Sequence, residues 1–260
     1  MAFKNRRVAV VIPAHNEELS IGLVVNELRS LQEEGERLID EIIVCDNGST
    51  DNTYKFAKAA GAKVIHEFRL GYGFACRRAL NMIRKRPALK PDYVLFVDGD
   101  HSVEASEVRS LVQKLHQGHD LVVGSRENER LQRGALSPHQ RFGNLLASRL
   151  IRAIWKQDIS DLGPFRGMRY PALLALDMQD RRYGWTVEMQ VKAIQAGYRY
   201  AELPVTTLRR IGVSKISGTV KGTIGAATGI FGKVFQLYWQ EAKFIESIKR
   251  SQQVRRFNQS

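Results

Sequence analysis

The sequence predicts an α/β protein: a mostly parallel sheet flanked by helices, followed by a C-terminal amphipathic helical segment. Three observations predict it. In the first half, short apolar runs alternate with stretches of helical periodicity, as in a parallel sheet whose crossovers are helices. The strand-like runs also end in polar clusters: His15–Asn16–Glu17, Asp46–Asn47–Gly48–Ser49, Asp98–Gly99–Asp100 and Ser125–Arg126. Open α/β sheets bind ligands beyond the carboxyl ends of their strands. Finally, 260 residues with 43% hydrophobic and 26% charged content suit one large domain or two small ones, and exclude a disordered, collagenous or disulfide-stapled chain.

The elements follow in order. Val8–Ala14 is a continuous apolar run broken only at Pro13, and reads as a buried strand. Leu23, Val24, Leu28 and Leu31 keep helical spacing, with Gly35 just beyond. Glu41–Cys45 is a second strand, after which Asp51 caps a helix that Gly61 terminates. Lys63–His66, Tyr93–Val97 and Leu121–Gly124 read as further strands. Helices run between them from about Phe74 to Arg86 and from Glu104 to His116. The second half is less regular. Helices are predicted over 138–154 and 185–196, a Gly- and Arg-rich loop over 161–169, and one or two strands around Pro204.

Charge is the abnormal quantity. Forty Lys and Arg face twenty-seven Asp and Glu, a net of +13, and residues 205–260 hold ten basic side chains against two acidic ones. Such a tail favours a polyanion. No helix-turn-helix, zinc-finger or RNA-binding aromatic signature is present, so a non-enzymatic nucleic-acid-binding protein is the unfavoured alternative. Gly218, Gly222, Gly225, Gly229 and Gly232 line one helical face. Val220, Ile224, Ala227, Phe231, Phe235, Tyr238, Ala242 and Ile245 line another. Each glycine costs about 1 kcal/mol relative to alanine, so the helix needs a packed surface. The expected division is a catalytic domain over 1–217 and a basic segment over 218–260. That segment would dock on an anionic membrane surface, a membrane-protein partner or a second copy of the chain. With only Cys45 and Cys76 and no apolar run of membrane-spanning length, the expected location is cytoplasmic, peripheral on the cytoplasmic face of a membrane.

Asp98–Gly99–Asp100 is the chemical centre. Two carboxylates one residue apart at a strand end suit a hard divalent cation that shares its remaining sites with substrate phosphates. Alone the pattern is weak, since D-x-D also occurs in ordinary turns. Together with Val10–Val11–Ile12–Pro13–Ala14–His15–Asn16–Glu17 and Val44–Cys45–Asp46–Asn47–Gly48–Ser49, it resembles the nucleotide-sugar half of family 2 glycosyltransferases with the GT-A fold. The resemblance implies that Pro13, His15, Glu17 and Asp46 face the nucleotide of a nucleotide-sugar donor. Gly71 and Gly73 would lie near it, and Asp98 and Asp100 would hold Mg²⁺ or Mn²⁺.

Val123–Gly124–Ser125–Arg126, Asp161–Leu162–Gly163–Pro164–Phe165–Arg166 and Arg209–Arg210–Ile211–Gly212–Val213–Ser214–Lys215 look like the polyprenyl-phosphate branch, the dolichyl-phosphate mannose and glucose synthases. That likeness implies a polyprenyl-phosphate acceptor bound by Arg126 and Arg141. It also implies a loop closing Arg209, Ser214 and Lys215 over the diphosphate. A phosphate acceptor needs no general base, so the expected reaction is a metal-dependent, inverting transfer of hexose from UDP-glucose or GDP-mannose. The alternative is a hydroxyl acceptor with a carboxylate base, for which Asp161 and Glu188 are the candidates. Two departures stand out. Asp46–Asn47 replaces a more usual Asp–Asp, and Ser102 replaces a glutamine sometimes used as a metal ligand.

Overall fold

The computed structural model describes residues 6–126, 130–212 and 220–257 and, in the last stretch, the side chains of 229–250. Chain order runs β1 (Val8–Ala14), α1 (Ile21–Ser30), β2 (Gln32–Glu33), β3 (Glu36–Arg37), β4 (Glu41–Asp46), α2 (Thr53–Ala59), β5 (Lys63–His66) and α3 (Tyr72–Arg84). It continues β6 (Tyr93–Phe96), α4 (Glu107–His116), β7 (Leu121–Ser125), α5 (Pro138–Trp155), β8 (Arg166–Arg169), α6 (Tyr170–Ala175), α7 (Trp185–Gln195), β9 (Tyr200–Pro204) and α8 (Val220–Phe257). The main sheet has the order β5-β4-β1-β6-β8-β7-β9. Neighbouring strands are parallel except at β8, which runs antiparallel to both β6 and β7. The α/β architecture read from the sequence is therefore the one observed.

The apolar strand runs reflect cover on both faces. Val8, Val10, Ile12 and Ala14 of β1 pack into one cluster with α1 and α4, while Ala9 and Val11 pack into another with α3 and α7. A strand buried on both faces has no polar alternation to show. The register then sets the site. Ala14 of β1 pairs with Asp46 of β4, and Val11 pairs with Phe96 of β6, so the polar clusters after these strands share one edge.

Two elements differ from expectation. The Gly- and Arg-rich stretch expected as a loop contains β8, because its arginine is buried: Arg166 donates to the carbonyls of Gly163, Leu162 and Thr186. Gly167 is required there, since a Cβ would meet Leu95 Cδ2 at 2.5 Å and Leu115 Cδ1 at 2.9 Å. The long α8 is present, but the face it buries is offset from the apolar stripe in the sequence. Val234 and Leu237 join Ala147 and Ile151 of α5 and Val187 and Val191 of α7, whereas Phe235, Tyr238 and Trp239 are exposed. Lys233 of α8 pairs with Asp180 at 3.0 Å, both nearly buried.

Packing of α8 against α5 and α7 gives a direct test. Leu237→Ala should lower unfolding stability by about 2–5 kcal/mol in urea denaturation. Trp239→Ala, exposed on the opposite face, should change it by no more than about 0.5 kcal/mol.

Candidate active site

Asp98 and Asp100 leave the end of β6 in a tightly held loop. Val97 N–H donates to Val11 at 3.1 Å, and the buried Ser20 hydroxyl donates to the Gly99 carbonyl at 2.7 Å. A Cβ on Gly99 would press on Ile21 Cδ1 at 3.3 Å. Asp100 is buried; its Oδ1 accepts from Ser102 N–H at 3.1 Å and its Oδ2 is paired with the Arg210 guanidinium. Asp98 Oδ1 accepts from the Tyr72 hydroxyl at 3.2 Å. Burial, and then the Asp100 carboxylate beside it, push the Asp98 pKa up to about 7, against the pull of Arg210 and Tyr72.

The loops after β1 and β4 interlock beside this pair. His15 Nδ1 lies 2.8 Å from the Asn47 carbonyl, and Glu17 N–H donates to Thr53 Oγ1 at 2.7 Å. Pro13 sits in β1 opposite Cys45. Asp46, buried, accepts from Ser49 N–H and contacts His66 Nδ1 at 3.2 Å. Asn47 explains the first departure. Its amide nitrogen donates to the carbonyls of Glu67 and Arg69 at 2.9 and 2.8 Å, while its oxygen accepts from Gly71 N–H. An ionised aspartate has no proton to donate to either carbonyl. Asn47 thereby ties the loop after β4 to Gly71–Tyr72–Gly73. Both glycines are forced by close approach, because a Cβ on Gly71 or Gly73 would meet the carbonyl oxygen of Arg181 or Asp180 at 2.4 Å.

The residues expected on the acceptor side are committed elsewhere. Asp161 is buried and accepts from Arg126 N–H and Nε at 2.8 Å and from Nη2 at 2.6 Å, a bidentate ion pair. Burial raises the Asp161 pKa, but the Arg126 charge and hydrogen bonds outweigh it and hold the carboxyl below its usual range. Glu188, also buried, accepts from the backbone N–H groups of Gln179 and Asp180 and pairs with Lys192 at 2.8 Å. Lys192 in turn donates to the carbonyls of Leu176 and Asp177. Both carboxylates expected as bases are thus buried and held in ion pairs and backbone hydrogen bonds. Arg141 is exposed on the first turns of α5, with no ion pair among the described residues.

The loop after β9 crosses the mouth of the site. Arg210, not Arg209, reaches Asp100. Arg209 points its backbone N–H at Gln132 and its side chain is exposed. Ser214 and Lys215 lie outside the described residues. Among the described residues, no cluster of three or more His, Cys, Asp or Glu exists that would hold a metal by itself. Two hard carboxylate oxygens at a strand end instead fit Mg²⁺ or Mn²⁺ completed by substrate phosphates.

The sequence profile described as glycosyl transferase family 2 matches residues 9–176. The chain belongs to glycosyltransferase family 2. An uncharacterized glycosyltransferase of Mycobacterium bovis is 36% identical to it over 219 residues, covering 84% of this chain and 93% of that protein. A dolichyl-phosphate hexose transferase of Haloferax volcanii is 29% identical, covering 80% of this chain and 86% of its own. Among solved structures, glucosyl-3-phosphoglycerate synthase of Mycobacterium tuberculosis, held with Mn²⁺, UDP and phosphoglyceric acid, overlays with a TM-score of 0.70. The identity is 23%, with 89% of this chain and 78% of that one covered.

These structures correct the branch and the partners expected from the sequence. Solved structures that overlay on this glycosyltransferase include several of a glucosyl-3-phosphoglycerate synthase, in place of the polyprenyl-phosphate sugar synthases expected. The expected polyprenyl-phosphate acceptor and anionic membrane surface fall with it. The contacts give the physical reason: Arg126, expected on a lipid phosphate, has its guanidinium fork filled by Asp161. No helix among the described residues is long and apolar enough to cross a membrane.

Asp161→Asn should destabilise this glycosyltransferase by about 3–5 kcal/mol at pH 7, because it leaves the Arg126 charge buried without its partner. The Asp161 pKa is lowered on folding, so the pair's contribution is present above the ordinary carboxylate range and is lost as pH falls below it. Urea titrations should therefore show the gap between wild type and variant closing below about pH 4.

Proposed function

We propose that this glycosyltransferase moves glucose from UDP-glucose to a hydroxyl group of a small phosphorylated acid of the phosphoglycerate type, with Mg²⁺ or Mn²⁺ as cofactor. The observation that carries the reading is the Asp98–Asp100 pair. It stands at the end of β6, beside the Asp46 loop, in a fold shared with a synthase captured with Mn²⁺, UDP-glucose and phosphoglyceric acid. Held by Asp98 and Asp100, the metal would supply Lewis-acid stabilisation to the departing UDP. The anomeric carbon–diphosphate bond breaks as the bond to the acceptor oxygen forms, and the departing diphosphate takes the hydroxyl proton, since Asp161 and Glu188 are held by Arg126 and Lys192.

The chain's own residues divide the remaining work. Pro13, His15, Glu17 and Asp46 line the nucleotide, and the loop they form is held in shape by Asn47. Gly71 and Gly73 let the backbone of 180–181 close against the start of α3, next to Tyr72 and so next to Asp98. Arg181 belongs to that rim and lies over the Phe74 ring at 5.8 Å. Arg210, in place of the expected Arg209, would join Lys215 on the diphosphate, because it is the arginine that reaches Asp100. Arg126 stays on Asp161, and the pair positions the loop 161–164 from beneath; Glu188 does the same for the 179–180 backbone.

The test is product formation from UDP-glucose and 3-phosphoglycerate, followed by mass spectrometry with Mn²⁺ or with EDTA. Glucosylated product should appear only with metal, and Asp100→Ala should lower kcat/KM by about 10²–10³-fold. Equal turnover in EDTA, or UDP release that ignores the phosphoglycerate, would contradict the reading.

A further inference from the structure

Arg210 occupies a place that the proposed metal would need. Its Nη2 pairs with Oδ2 of Asp100, whose side chain is only 4% exposed against 33% for the arginine. The pairing is no chance encounter of long side chains, because the backbones on either side are joined. Ile211 N–H donates to the Asp100 carbonyl at 2.9 Å and Leu208 N–H to the Ser102 carbonyl at 2.8 Å, while Thr207 bridges Val103 in antiparallel fashion. Gly212, at φ +92°, turns the chain toward Glu17 of the nucleotide loop. Asp100 Oδ1 already accepts from Ser102 N–H, and Oδ2 is the oxygen that faces the arginine. That oxygen cannot accept a guanidinium N–H and coordinate a divalent cation in the same direction. The two cations would also repel each other at contact distance.

Resting on the transferase reading above, we infer that Arg210 is a placeholder for the metal. In the metal-free protein its guanidinium neutralises Asp100 and holds the 207–212 segment down on the Asp98–Asp100 loop. Metal binding displaces it, and the diphosphate of the donor is the anion that receives it. Metal alone then binds weakly, since it must evict a cation that has nowhere to go. Metal and nucleotide together bind strongly, since the evicted cation gains a partner. The coupling is reciprocal by thermodynamic necessity. The device orders the site: an ion without donor does not hold the segment open.

The test is equilibrium binding of Mn²⁺ alone, read from the electron paramagnetic resonance of the free ion, in wild type, Arg210→Gln and Arg210→Lys. If Asp100 is free only a tenth of the time in the wild type, removing the competitor tightens Mn²⁺ binding about tenfold. Arg210→Gln should show that gain, and Arg210→Lys, which keeps the charge, should lose most of it. Repeating the titration with UDP present should shrink or reverse the advantage of Arg210→Gln. A folding defect would weaken Mn²⁺ binding, the opposite direction. Mn²⁺ and UDP binding in the wild type, with no gain in Arg210→Gln, overturns the placeholder alone. No Mn²⁺ binding in any of the three, even with UDP, overturns both this inference and the metal-dependent transferase reading.

Discussion

Two carboxylates stand one residue apart at the end of β6, one buried and the other half-buried, and like charges that close cannot both ionise freely in a medium poorer in water than bulk. The molecule answers this in three ways at once. Asp98 is pushed to a pKa of about 7, Tyr72 donates a hydrogen bond to it, and Arg210 delivers a positive charge to Asp100. Each answer is partial, and a divalent cation would be the complete one. The surrounding structure is arranged to preserve the tension. Ser20 fastens the intervening glycine, β1 and β6 hold the strand end rigid, and the β9 loop is laid across it.

Around this centre the fold uses buried charge as bracing. Arg126–Asp161 joins separate segments, the Glu188–Lys192 pair within α7 holds the 176–180 stretch through backbone hydrogen bonds, Lys233–Asp180 again joins separate segments, and all three pairs are largely withdrawn from solvent. Such pairs gain little net energy over apolar packing, yet removing one partner is costly. Their value here is placement. The first fixes the 161–164 loop behind Ser125, the second fixes the 179–180 turn against Gly71–Gly73, and the third ties α8 to that same turn. The C-terminal helix is thus mechanically connected to the rim of the site.

Much of this was legible in the sequence, and the limits were physical. β1, β4 and β6 stood out because both faces are apolar. The clusters at their ends stood out because a ligand edge concentrates polar residues that a core would exclude. β8 did not stand out, because Arg166 within it is satisfied by carbonyls rather than by water, and composition cannot report that. The roles of Asp161 and Glu188 were hidden for a similar reason. A carboxylate reads the same whether it faces a substrate or a partner arginine thirty-five residues away. Arg209 and Arg210 are adjacent and chemically identical, so only the direction of the chain after β9 separates them. The acceptor expected from motif likeness failed because a phosphate-binding arginine and a bracing arginine share one sequence signature.

If Asp98 and Asp100 hold the metal, nucleotide binding depends on a divalent cation. Isothermal titration of UDP into the wild-type protein, with Mn²⁺ and then with EDTA, addresses it without any assumption about the acceptor. The expected Kd is at least about tenfold lower with Mn²⁺, a coupling of about 1.4 kcal/mol, which disappears in Asp98→Asn and Asp100→Asn while the folded state persists. UDP binding of equal strength with and without the metal would contradict it, and would return the two carboxylates to a purely structural role.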